Sequence, residues 1–179
     1  MEKYLPVLKN YWAETQHETA ARLSLIFLRL YLGMFYYATG TNKVFRGNWG
    51  LDWQDNLVRT VTSALDKPED SLNQVPLWYA AFLEHVVLEM PTVFTLLVAW
   101  GETLLAFALI FGISTRLAGF LGSFMAINFA LMSGRAIWLP HFDTTLSIAL
   151  LTLGLARSGR VLGVDQYLVK RWPGKSWLW

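Results

Sequence analysis

Long apolar runs set the pattern of this chain, and the polar residues that interrupt them are few enough to name. A bilayer core of roughly 30 Å takes about 20 mostly apolar residues as a helix. Residues 21–41 form the first such run, broken only by Arg22 and Arg29. Residues 92–112 form the second, with Glu102 at its middle, residues 117–139 the third, and residues 142–156 the fourth and shortest. Residues 113–116 join the second run to the third, and only a few polar positions separate the third from the fourth, so neighbouring helices must run antiparallel. The pattern predicts an all-α protein: an integral membrane four-helix bundle in up-down-up-down order.

Around that core the chain divides into an amphipathic leader (1–20), a transmembrane domain (21–157) and a basic, Trp-rich tail (158–179). The polar leader and the lack of a small-residue cleavage site mark the first run as a retained span, not a signal peptide. The loop 42–91 exceeds what a simple connection needs. Within it, Trp53, Leu57, Val58, Val61 and Leu65 recur at helical spacing, and Asp66 to Asp70 break the pattern. A second helical stretch covers residues 76–90, with Pro91 as its stop. Amphipathic helices of this kind can lie flat at an interface.

Composition agrees with the spans: 54% of the 179 residues are hydrophobic and 16% charged, against about a quarter charged in soluble domains. The charges are sorted by side. The side holding the termini carries nine basic and four acidic residues, and the side of the long loop five basic and eight acidic. Loops rich in Lys and Arg stay cytoplasmic, so the expectation is a prokaryotic cytoplasmic (inner) membrane protein with both termini inside. A net charge of +2 is too small for a nucleic-acid surface. The absence of cysteine removes Cys-ligated metals, iron–sulfur clusters and thiol relays to quinone, and hydrolase and nucleotide motifs are missing.

Arg29 and Glu102 are the two charges placed well inside spans, where an ionised group must pair, face water or neutralise. Counted inward from the cytoplasmic ends they lie within one helical turn in height, so a pair between them is expected. Three readings remain open: an ion pair fixing helix register, a proton-handling or quinone-binding carboxylate, and a protonated Glu102 bonded to a backbone carbonyl. Lys43, after the small residue Gly40, either snorkels to headgroups or holds an anionic substrate at the outer surface. Trp49, Trp53, Trp78 and Trp138 flank the spans as interfacial anchors or as a stacking platform for a quinone or pigment ring. His85 and His141 fall outside the spans, which argues against haem or pigment ligation by either; no metal site is expected. His141-Phe142-Asp143 reads instead as a cap for the fourth helix.

Gly40-Thr41-Asn42-Lys43, Gly101-Glu102, Gly112 to Ala118 and Ser158 to Asp165, in that order, resemble the DoxX/DoxD family. Gly40, Lys43, Glu102, Arg116, Gly159, Arg160 and Asp165 match its pattern. The resemblance implies a small four-helix membrane protein, and its DoxD branch is similar to the small subunit of an archaeal thiosulfate:quinone oxidoreductase. It therefore implies a membrane subunit of a quinone-linked electron-transfer system, with Arg29, Glu102 and Lys43 about a polar pocket, a quinone as ligand, and protein subunits and membrane lipid as partners. The alternative is a non-catalytic accessory subunit of a larger respiratory or photosynthetic complex. Whether the chain is itself an enzyme is left undetermined.

Overall fold

A computed structural model of the chain describes residues 5–45, 48–67, 73–134 and 140–172, with side chains from Leu23 onward. Trp138 and the tail from residue 173 lie outside the described residues. Among them there are seven α-helices and no strand. Helix α1 (Leu5–Phe45) is 41 residues long, about 62 Å at 1.5 Å per residue, and runs without a break from the leader through the first span. Its segment Leu23–Phe45, helix α4 (Pro91–Phe111) and helix α5 (Thr115–Met132) are each long and apolar enough to cross a membrane. Helix α6 (Phe142–Leu155) is apolar but shorter, at 14 residues.

The helix ends follow from local chemistry. Pro91 opens α4 at a position where a missing N–H is harmless and a fixed φ favours the helix; it both stops the preceding segment and starts the span. Gly112, at φ +66°, closes α4 in the left-handed conformation that a side chain disfavours. His141 caps α6: its Nδ1 accepts from the Asp143 N–H, and the His141 N–H donates to Thr144 Oγ1 at 2.9 Å. That local cap is the one expected from the sequence.

Helix α1 lies along α4, and α5 along α6, with α4 against α5 joining the pairs. The buried core between them contains Leu32, Tyr36, Leu105, Leu109, Ala126, Leu150 and Leu153. Small residues set the closeness of each pair. Gly33 meets Ile110, and a Cβ on Gly40 would sit 2.6 Å from the Thr103 backbone nitrogen, so no side chain fits there. In the other pair Gly119 meets Gly154, and the buried Ser123 and Ser147 hydroxyls are 2.7 Å apart. Between membrane helices, where lipid is as apolar as any side chain, such close approach and interhelical hydrogen bonds carry the association.

The long loop is a folded cap. A 3-10 stretch (Asn48–Trp53) leads into α2 (Gln54–Leu65), and α3 (Leu77–Phe82) widens into a π-helical turn (Leu83–Val87) before α4. Leu57, Val61, Tyr79, Leu83 and Val87 bury together with Leu131 of α5. Tyr79 donates to the Asn128 carbonyl at 3.1 Å, and burial pushes its hydroxyl up to about 12, so it remains a donor at ordinary pH. The cap is thus tied to the spans by its own small core.

The opposite end of the bundle is held by a clasp. Asp165, fully buried at the start of α7 (Asp165–Arg171), accepts from the Ser114 N–H at 2.6 Å, the Thr115 N–H at 2.9 Å and the Thr115 hydroxyl at 2.7 Å. It caps α5 from fifty residues away, because Ser114 adopts φ +47° and makes no side-chain cap itself. Arg29, 1% exposed, donates to the carbonyls of Ser158, Val161 and Leu162 at 2.8, 3.2 and 3.1 Å. All four bundle helices are therefore pinned at this end by backbone groups that lipid could not satisfy. Asp165→Asn is expected to lower unfolding stability in detergent by roughly 2–3 kcal/mol, the loss of charge-assisted bonds to a helix N-terminus; an unchanged unfolding midpoint contradicts the clasp.

Candidate functional site

At the end of the bundle where α1 finishes and α6 begins, a cavity of about 410 Å³ opens between the helix pairs. From α1 it is lined by Phe35, Tyr36, Thr39, Asn42 and Lys43, and from α4 by Glu102. Phe129 of α5, Phe142, Asp143 and Leu146 of α6, and Trp53 of the cap complete the wall. Lys43 Nζ donates to Glu102 Oε1 at 2.6 Å, with the two side chains 15% and 5% exposed. The same ammonium lies 4.4 Å from the centre of the Trp53 ring, a cation–π contact that strengthens as water is excluded. Lys43 thus does not snorkel to headgroups.

The expected Arg29 to Glu102 pair is not formed. The counting placed the inner end of the first span at residue 21, but the Gly33 and Gly40 contacts fix a different register: Glu102 lies opposite Gly40, and Arg29 lies against Gly112, at the far end of α4. Eleven residues of helix, about 16 Å, separate the two positions along α1. Lys43 is the residue within reach of the carboxylate, and Arg29 belongs to the clasp instead of the pocket.

Two polar atoms at the cavity remain unmatched. Glu102 Oε2 and the Tyr36 hydroxyl are buried without a hydrogen-bond partner, in residues 4% and 2% exposed. Nearby, Phe35 packs edge-on against Tyr36 and Phe142 at centroid distances of 5.3 and 5.6 Å. The site therefore combines an aromatic wall, one ammonium, two carboxylates and a phenol. The part played by Tyr36, Asp143, Phe129 and Phe142 was not visible in the sequence, since it depends on which helix faces meet.

A family model for DoxX matches residues 24–135, more than half of the chain. The chain belongs to the DoxX family. No curated protein and no solved structure matches it. In this DoxX membrane protein the motif residues fall into two groups. Gly40, Lys43 and Glu102 meet at the pocket, whereas Arg116, Gly159, Arg160 and Asp165 gather at the clasp, where Gly159 N–H donates to Thr115 Oγ1 at 3.0 Å. Lys43 and Glu102 of the first group line the 410 Å³ cavity.

The tryptophans divide similarly. Trp53 lines the pocket. Trp49 is 62% exposed and stacks on Trp100 at 6.1 Å, and Trp78 is 67% exposed with its ring edge-on to Tyr79. His85 is exposed on the π-helical turn, and among the described residues no three His, Asp or Glu side chains converge as metal ligands.

Removing one partner of a buried pair strands the other. Lys43→Met is expected to cost about 3–5 kcal/mol of unfolding stability, and adding Glu102→Gln to recover much of that loss, a coupling read from the double-mutant cycle. Additive losses, or no loss in Lys43→Met, contradict the pair.

Proposed function

We propose that this DoxX protein is the membrane subunit of a quinone-linked redox system and that its pocket holds the quinone ring. The observation that carries the reading is the pair of unmatched buried polar atoms, Glu102 Oε2 and Tyr36 Oη, on an aromatic-walled cavity. An unmet buried polar group costs roughly 1–3 kcal/mol, which a ligand with matching groups removes. The cavity volume falls in the usual range for small-ligand sites, about 300–1,000 Å³.

A quinone bound there supplies two-electron, two-proton chemistry and presents two carbonyl acceptors on a flat apolar ring. Lys43 and the Tyr36 hydroxyl are the donors for those acceptors, the phenylalanines and Trp53 receive the ring faces, and Glu102 holds or accepts a proton beside it. Lys43 Nζ, 2.6 Å from Oε1, stands as the counter-charge to an ionised Glu102. Electrons come from a centre on a partner subunit. A thiosulfate donor, as the DoxD resemblance implies, is a dianion facing two carboxylates and one ammonium, so its oxidation belongs on that partner. The charge bias of the loops supports an orientation with both termini on the cytoplasmic side.

Quinone binding to the purified protein in lipid nanodiscs tests the proposal. Lys43→Met and Glu102→Gln are each expected to weaken binding about tenfold or more, equivalent to 1.4 kcal/mol, while Tyr167→Ala on α7 leaves it unchanged. Unaltered affinity in both pocket variants contradicts a quinone site there.

A further inference from the structure

A second cavity, of about 340 Å³, lies next to the first. It runs beneath α2 and is lined by Thr60, Ser63, Ala64 and Lys67 on the cap side and by Phe129, Met132, Ser133 and Asp143 on the bundle side. Phe129 and Asp143 line both cavities, so these two side chains stand where one space passes into the other. The character of the wall changes across them. Beneath α2 it is hydroxyl-rich: Thr60 and Ser63 are exposed, Ser133 is half-buried, and Lys67 Nζ donates to the Ser133 and Asn73 carbonyls at 2.7 and 3.1 Å. Beyond Phe129 and Asp143 lie the aromatic wall and the ion pair.

The hydroxyls of Thr60, Ser63 and Ser133 offer water hydrogen-bond partners there. A membrane-embedded carboxylate with an unmatched oxygen needs a source of protons or of water if its charge is ever to change. The charged side chains along the route are Glu102 and Asp143 together with Lys43 and Lys67, two of each sign. His141 Nδ1 is 3.4 Å from Asp143 Oδ2, at the outer rim of the same group.

We infer that the two cavities form one water-filled route, entered beneath α2 and ending at the Lys43–Glu102 pair. The inference rests on the quinone reading only for what sits at the inner end; the route itself is a property of this chain. It assigns Asp143 and Phe129 as the neck, α2 as the roof, and the compartment facing the cap as the side from which protons and small polar molecules reach Glu102. A lipid-soluble ring and a water-borne proton then approach one pocket from different media.

The chain contains no cysteine, so single cysteines introduced into the full-length protein in native membranes report access directly. Thr39→Cys places a thiol in the inner cavity, Ser63→Cys marks the cap side, and Ala126→Cys, at a fully buried core position, reports loss of fold. A membrane-impermeant methanethiosulfonate is applied to right-side-out and inverted vesicles, and rates are divided by those for a free thiol. The expected result is that Thr39→Cys reacts from the same side as Ser63→Cys and that Ala126→Cys stays unreactive. Reaction of Thr39→Cys with a membrane-permeant maleimide alone, or from the face opposite to Ser63→Cys, overturns the route. None of these readouts requires quinone, so they stand or fall apart from the binding assay.

Discussion

Gly33 and Gly40 let α1 lie against α4 at a separation that no Cβ would tolerate, with a backbone nitrogen 2.6 Å from where the Gly40 side chain would begin. In a bilayer, close packing of this kind does what the hydrophobic effect does in water. It also sets register. With Gly40 opposite Thr103, Lys43 is brought to Glu102 and Arg29 to the turn after α4, and neither charge has another place to go. The two ends of the molecule then acquire different characters from one contact: a pocket where an ammonium and a carboxylate meet, and a clasp where a guanidinium binds three carbonyls.

The difference between the ends explains the division of labour. At the clasp Asp165 is spent on the N-terminus of α5 and three Arg29 bonds on the chain after α6, so this end is built for rigidity, although Arg29 Nε and Ser158 Oγ are also buried without a partner. At the pocket, Tyr36 and one oxygen of Glu102 remain unmatched next to open volume. Buried groups left in this state mark the place where a ligand, water or a moving proton completes the structure. The cap formed by the long loop is part of the same design, since it supplies Trp53 to the pocket and α2 to the adjoining cavity.

Much of the fold was legible in the sequence because hydropathy is read along one helix at a time. The three long spans, the short fourth helix, both helices of the loop and the His141 cap all depend on near neighbours in the chain. The membership of Lys43 and Glu102 in one polar pocket was implied by the family resemblance, not by their positions along the spans. The pairing was not, because depth was counted from assumed span ends, and a helix of 41 residues has no visible end at residue 21. Asp165 could not be seen as the cap of α5, since Ser114-Thr115 already resembles a local cap and only the positive φ of Ser114 rules it out. Asp143 was assigned to a helix dipole, and its second position, on the wall shared by two cavities, depends on where the cap meets the ends of α5 and α6.

The central claim is that the pocket at Lys43 and Glu102, not the clasp, is the ligand site of this DoxX protein. Photolabelling of the protein in native membranes with an azido-quinone, followed by mapping of the modified peptides, tests it most directly. The account predicts label in residues 35–43 and 129–146, lost when unlabelled quinone is present in excess. Label confined to residues 111–116 and 158–165, or label that excess quinone does not displace, contradicts it.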